Sequence, residues 1–157
     1  MTIKRRDSGL FYEDFIVGDI YEHGLGRTVT DADNIWFTLI TMNNNPIHFD
    51  KAYAAKTEFQ RLLVDSTFTL ALVTGLSVND LSRNAINLGW DEVRLPNPVF
   101  EGDTIYARSE ILSTRESKSR PQMGIVTVKT TGYNQNDAVV MEFKRTIMVY
   151  KRSGAPS

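Results

Sequence analysis

One stretch constrains the fold more than any other. Across residues 68–81 the chain is apolar on almost every side of a helix. Phe68, Ala71, Leu72, Gly75 and Leu76 recur at helical spacing, while Leu70, Val73 and Val78 cover other faces. Such a helix has little solvent face to offer, so it should be wrapped by a sheet. Asp65, Ser66 and Thr67 supply cap residues at its start, and Asp80, Ser82, Arg83 and Asn84 close it. The pattern then switches to period two. A strand is predicted over 86–94, stopped by Pro96 and Pro98. In the next, Ile105, Ala107 and Ser109 alternate with Tyr106, Arg108 and Glu110. A third covers 125–133 and turns at Asn134, Gln135, Asn136 and Asp137. Val139, Met141, Phe143, Ile147 and Val149 mark one face of the last strand, which Arg145 interrupts. Upstream, Val17-Gly18-Asp19 reads as a turn and 20–30 as a strand weakened by Gly24 and Gly26, with His23 on its surface. The order predicts an α+β domain, with an antiparallel sheet around one helix. A single domain over 1–157 is expected, with 1–10 and 151–157 as loose ends.

A second stretch carries the chemistry. Thr30-Asp31-Ala32-Asp33 offers caps for a helix over 35–40, and Asn43, Asn44, Asn45 and Pro46 then stop it. Three consecutive amides are poor core residues, because each must find hydrogen bonds if buried. Pro46 pushes Asn45 into an extended conformation. The turn presents His48 before a second helical piece around 51–56. A histidine in a rigid turn is a candidate general acid or base, since imidazole titrates near neutrality.

Composition narrows the chemistry. There is no Cys and only two His, which excludes thiolate nucleophiles and disfavours metal sites. The net charge is −1, so bulk charge suggests neither nucleic acid nor a membrane surface as partner. No apolar run is long enough to span a membrane, and the expected setting is cytoplasmic.

The run Asn43-Asn44-Asn45-Pro46-Ile47-His48, followed by Ala54, resembles the motif of the MaoC-like dehydratases, the (R)-specific enoyl-CoA hydratases. That motif reads Asp-x-Asn-Pro-(Leu/Ile/Val)-His, then five residues and a small one. The catalytic Asp of the motif falls on Asn43, and the His-Gly usual at the buried helix start reads Asp65-Ser66 here. The resemblance implies a hot-dog fold, a homodimer, and reversible addition of water to a 2-enoyl-CoA without a cofactor. It implies His48 as base, Asn45 and Pro46 as structural motif residues, and a backbone donor from Ser66 or Thr67 for the thioester oxygen. Three accounts of Asn43 stay open. Asn43 positions the water while His48 works alone; Asp65 or Asp50 replaces the carboxylate; or hydration is lost and an acyl-CoA-binding protein is left. A hot-dog thioesterase using Asp65 is the other enzymatic alternative. For the phosphates of CoA the candidates are Arg94, Lys118, Arg120, Lys144 and Arg145, with the Lys118/Arg120 loop first. Arg61 is the candidate for a substrate carboxylate, which would suit a mesaconyl- or itaconyl-type thioester.

Overall fold

The structure, a computed structural model, describes residues 9–156. Its sheet has the order β1-β4-β5-β6-β3, with every named pair antiparallel. These strands are β1 (Ile20–Glu22), β3 (Ala85–Arg94), β4 (Thr104–Glu116), β5 (Met123–Tyr133) and β6 (Val139–Tyr150). The strand expected over 20–30 is broken. β1 and β2 (Arg27–Thr28) pair separately with β4, at Ile20 with Glu110 and at Arg27 with Ile105. Gly26 lies against the ring of Tyr106, and a β-carbon there would come within 2.4 Å of it. Close approach therefore explains this glycine.

The helices are α1 (Asp31–Thr41), α2 (Lys51–Ala54) and α3 (Ser66–Leu76). α1 starts earlier than expected, because Thr30 caps it and the Asp33 carboxylate returns to the Thr30 N–H in a capping box. α3 ends earlier, at Leu76, and passes into a π-helical turn over Val78–Ser82. It lies on the sheet so closely that a β-carbon on Gly132 would meet Val73 at 2.5 Å. Two apolar clusters fill the space between. Val64, Val73, Val99, Ile105, Val140 and Phe143 belong to the one near the start of α3. Leu81, Ile111, Val126, Ile147 and Val149 belong to the other, beyond its end.

The helix is enclosed on one side only. Thr67, Ala71, Gly75 and Val78 form an exposed stripe on its outer side, so the expectation of a fully wrapped helix is corrected. β3 is one edge of the sheet, opposite β1, and Leu88 (50% exposed) and Trp90 (40%) on it are open to solvent.

Two further expectations change. Leu10 packs on the second cluster, and its N–H donates to the Asp80 carbonyl, so the described end of the predicted N-terminal arm is docked. The rest of that arm, 1–8, and Ser157 lie outside the described residues. The tail is docked as well: the Lys151 N–H donates to the Gln122 carbonyl, and Arg152 pairs with Asp14 at 2.5 Å. His23, expected on a strand surface, is buried. Its Nδ1 lies 2.6 Å from Asp80, its Nε2 lies 3.0 Å from Ser109 Oγ, and Ser109 bonds Thr130 at 2.8 Å.

Candidate functional site

The site is built where α1, the asparagine turn and the start of α3 meet. Met42 ends α1 with a left-handed backbone, φ +57°, while its N–H still donates to the Thr38 carbonyl. The chain is thereby redirected into the motif. Asn45 caps the 3-10 turn Pro46–His48 through the Ile47 N–H, and Pro46 fits the first position of that turn, which needs no donor. Asp50 caps α2 through the Tyr53 N–H at 2.9 Å. The structure thus places Asp50 as a helix cap.

His48 is buried, and its Nδ1 donates to the Leu63 carbonyl at 2.7 Å. A carbonyl only accepts, so this bond fixes the proton on Nδ1. In the neutral ring Nε2 is then left with its lone pair. Among the described residues, Nε2 has no hydrogen-bond partner.

Asn34 is the residue that sequence reasoning missed. It is buried on α1, and its amide nitrogen donates to the His48 carbonyl (2.8 Å) and the Leu63 carbonyl (3.0 Å). Its oxygen accepts the Asp65 N–H at 2.9 Å. One side chain thus ties the motif turn to the entrance of α3. Its spacing from Thr38 put the two on one face of α1, but only the structure shows that this face is buried.

Asp65 caps α3. One carboxylate oxygen accepts from the Thr67 N–H (2.7 Å), the Thr67 hydroxyl (2.5 Å) and the Phe68 N–H (3.3 Å). The other accepts from the Asn43 amide at 2.5 Å. Burial alone would push this carboxyl up. The Thr67 hydroxyl, the Asn43 amide and the two backbone donors outweigh it, and they hold Asp65 below the usual carboxylate range. It is therefore an ionised acceptor, committed on both oxygens. Asn43 in turn accepts the Asn45 N–H on its amide oxygen at 3.1 Å, which fixes its orientation. Of the two candidate backbone donors, the Thr67 N–H is bonded to Asp65, while the Ser66 N–H has no partner among the described residues.

Two apolar hollows flank this arrangement. A cavity of about 520 Å³ is lined by Ile35, Leu39, Met42, Asn43 and Phe49. Another of about 250 Å³ is lined by Ser66, Thr69, Leu95, Val99 and Val140.

The cations fare differently. Lys118 and Arg120 lie in the β4–β5 turn, where Arg120 approaches Met148 Sδ at 3.9 Å. The start of α3 lies by Val140, eight residues back along β6, which is about 26 Å away. The structure does not bring this loop to the site of the same chain. Lys144 pairs with Glu92 at 2.7 Å, and Arg94 is exposed at the end of β3. Arg61 stacks 3.7 Å above Phe100, beside a cavity that it shares with Asp31 and Glu101. Lys51 lines the same cavity and pairs with Asp31 at 2.6 Å, so cations and carboxylates are balanced there. Arg145 is 0% exposed and cannot stand on a solvent rim, which corrects its assignment to CoA phosphates. Its Nη2 donates to Ser77 Oγ at 2.9 Å, while Nε and Nη1 are buried without partners, as is Thr74 Oγ1. Burial pulls the guanidinium down to about 10, which still leaves it charged at neutral pH.

The family model described as mesaconyl-CoA hydratase matches residues 2–156. The β-methylmalyl-CoA dehydratase of Chloroflexus aurantiacus is 34% identical over 149 residues, covering 94% of this chain and 42% of that protein. The (R)-specific enoyl-CoA hydratase of Aeromonas caviae is 32% identical over 118 residues, 74% of this chain and 84% of that one. The crystal structure of a MaoC domain protein dehydratase from C. aurantiacus superposes with a TM-score of 0.90 at 33% identity. It covers 99% of this chain and 45% of that chain. This chain spans less than half the length of the first curated relatives it matches, 42–44%. With a match that runs almost from end to end and a hot-dog architecture in common, the chain belongs to the mesaconyl-CoA hydratase family of MaoC-like dehydratases.

Proposed function

We propose that this chain adds water reversibly to the double bond of a 2-enoyl-CoA, without a cofactor, and that its substrate is a short branched dicarboxylic thioester of the mesaconyl type. The observation that carries this reading is the open Nε2 of His48, held in one tautomer by the Leu63 carbonyl. His48 takes a proton from water as the oxygen bonds to C3. The electron pair of the double bond moves toward the thioester oxygen, which the Ser66 N–H and the helix end stabilise. The imidazolium of His48 gives that proton to C2, which completes the addition and restores the neutral ring, with atoms and charge balanced. Asn43 orients the water. Asp65, saturated with donors, holds Asn43 and caps α3 rather than exchanging protons. That commitment also weakens the thioesterase alternative, which would need Asp65 free to activate water.

A second hot-dog unit completes the molecule in this reading, as a homodimer partner. The open edge of β3, with Leu88 and Trp90 exposed, supports pairing there. Antiparallel pairing reverses the ends of the second unit. Its Lys118/Arg120 loop is then directed toward the α3 start of the first, where CoA phosphates need cations. A cytoplasmic setting belongs to the same reading; no helix among the described residues is long and apolar enough to cross a membrane.

The test is absorbance at the enoyl-thioester band with crotonyl-, longer linear and mesaconyl-CoA, comparing the wild type with His48→Ala. Loss of the band in the wild type only, with no free thiol, is expected. Release of thiol would mean a thioesterase, and a flat trace with clear thermal stabilisation would mean a binding protein.

A further inference from the structure

We propose that Arg145, with Thr74, is the subsite for the free carboxylate of the substrate, and so selects dicarboxylic over simple enoyl thioesters. The inference rests on the hydratase reading and names the residue that sets its substrate class.

A charged group withdrawn from water needs partners, and Arg145 has one where it can make five hydrogen bonds. The Ser77 hydroxyl that it reaches is neutral and already donates to the Thr74 carbonyl at 2.7 Å. No carboxylate pairs with Arg145 among the described residues. Thr74 Oγ1, a second buried group without a partner, lies on α3 one turn nearer the helix start. An anion there would accept from the guanidinium and from the Thr74 hydroxyl together.

The span fits. From the Ser66 N–H to Thr74 is eight residues of helix, about 12 Å. The thioester of a four-carbon unsaturated diacid, with a hydrogen bond at each end, extends about 11 Å. Crotonyl-CoA presents a methyl group where the diacid presents its carboxylate. Binding it would leave the guanidinium buried and unpaired, and sites built to pair a polar group reject an analogue that lacks it. Arg61, the other candidate, is exposed and stacked on Phe100, so water competes for its guanidinium and it offers no comparable selectivity.

The test compares kcat/KM for mesaconyl-CoA and crotonyl-CoA in the wild type, Arg145→Met, Arg145→Lys and Thr74→Val. The ratio should fall about 100-fold or more in Arg145→Met and several-fold in Thr74→Val, with Arg145→Lys between them. An unchanged ratio, including a parallel loss on both substrates, overturns the proposal. A binding arm separates this from failure of the hydratase reading. If the wild type turns over neither thioester, mesaconyl-CoA should still raise its Tm more than crotonyl-CoA does, and Arg145→Met should abolish that excess. Equal stabilisation by the two overturns the subsite. Thr74→Val, nearly isosteric, carries both arms should Arg145→Met fail to fold.

Discussion

The two ends of α3 are opposites. At its start sits a buried negative charge, Asp65, with a donor on every side: two N–H groups, a hydroxyl and an amide. Toward its end lies a buried positive charge, Arg145, with one neutral partner and two idle nitrogens. Saturation and vacancy of hydrogen bonds have different meanings. A saturated charge is structural; it holds other groups still and takes no new contact. An unsaturated one raises the energy of the free protein and is relieved by whatever completes it. The charge nearest the motif is therefore the less available of the two for chemistry. In the proposed mechanism Asp65 accordingly holds Asn43 in place and does not stand in for the carboxylate that the motif lacks there.

The sharpest way to break this contrast is to remove what keeps the start of α3 saturated. Asn34→Ala strips partners from the Asp65 N–H and from two carbonyls in one step. It should cost about 2–4 kcal/mol, read from urea unfolding with an unchanged m-value, and should lower kcat because the His48 turn loses its tie to α3. A loss within 0.5 kcal/mol would mean that the motif turn holds itself. At the other end the sign reverses. Arg145→Met should stabilise the ligand-free protein by about 1–3 kcal/mol, since an apolar side chain of similar length replaces an unpaired buried charge. A lower Tm instead would show that the guanidinium is already well solvated by its surroundings.

The smallest effect is in acid. Asp65 titrates below its ordinary value of 3.8 in the folded chain, so its contribution is fully present above that value. It is lost as the pH falls through the lower folded value. Asp65→Asn should therefore flatten the acid limb of the stability curve while leaving the slope above pH 5 unaltered. An acid limb that keeps its wild-type slope would place the relevant carboxylate elsewhere.

Much of this was legible in the chain. The apolar run over 68–81 announced α3, and alternation announced β4 and β6, because burial on one face imposes a period. The turn at Asn45-Pro46 and the presentation of His48 followed from local backbone chemistry. What could not be read depends on distant partners. Asn34 carries no signal of its own until Leu63 and Asp65 are placed around it. His23 looked like a surface residue because its partners, Asp80 and Ser109, come from far along the chain. Arg145 interrupts an apolar face, which the sequence records, but whether such a residue snorkels outward or is enclosed is decided by tertiary packing. Lys118 and Arg120 were legible as a basic loop, whereas their distance from α3 follows from sheet register alone.

The open edge of β3 bears on how the protein must be made. Leu88 and Trp90 lie beside a row of backbone donors and acceptors that no strand among the described residues satisfies. A newly synthesised chain with such a flank is a template for runaway strand addition, and each mispairing removes it from the useful pool. With β3 paired to a second hot-dog unit, as proposed above, assembly both covers this flank and adds to the stability of the fold. Dilution should act on it as a denaturant does, with Tm falling as protein concentration falls.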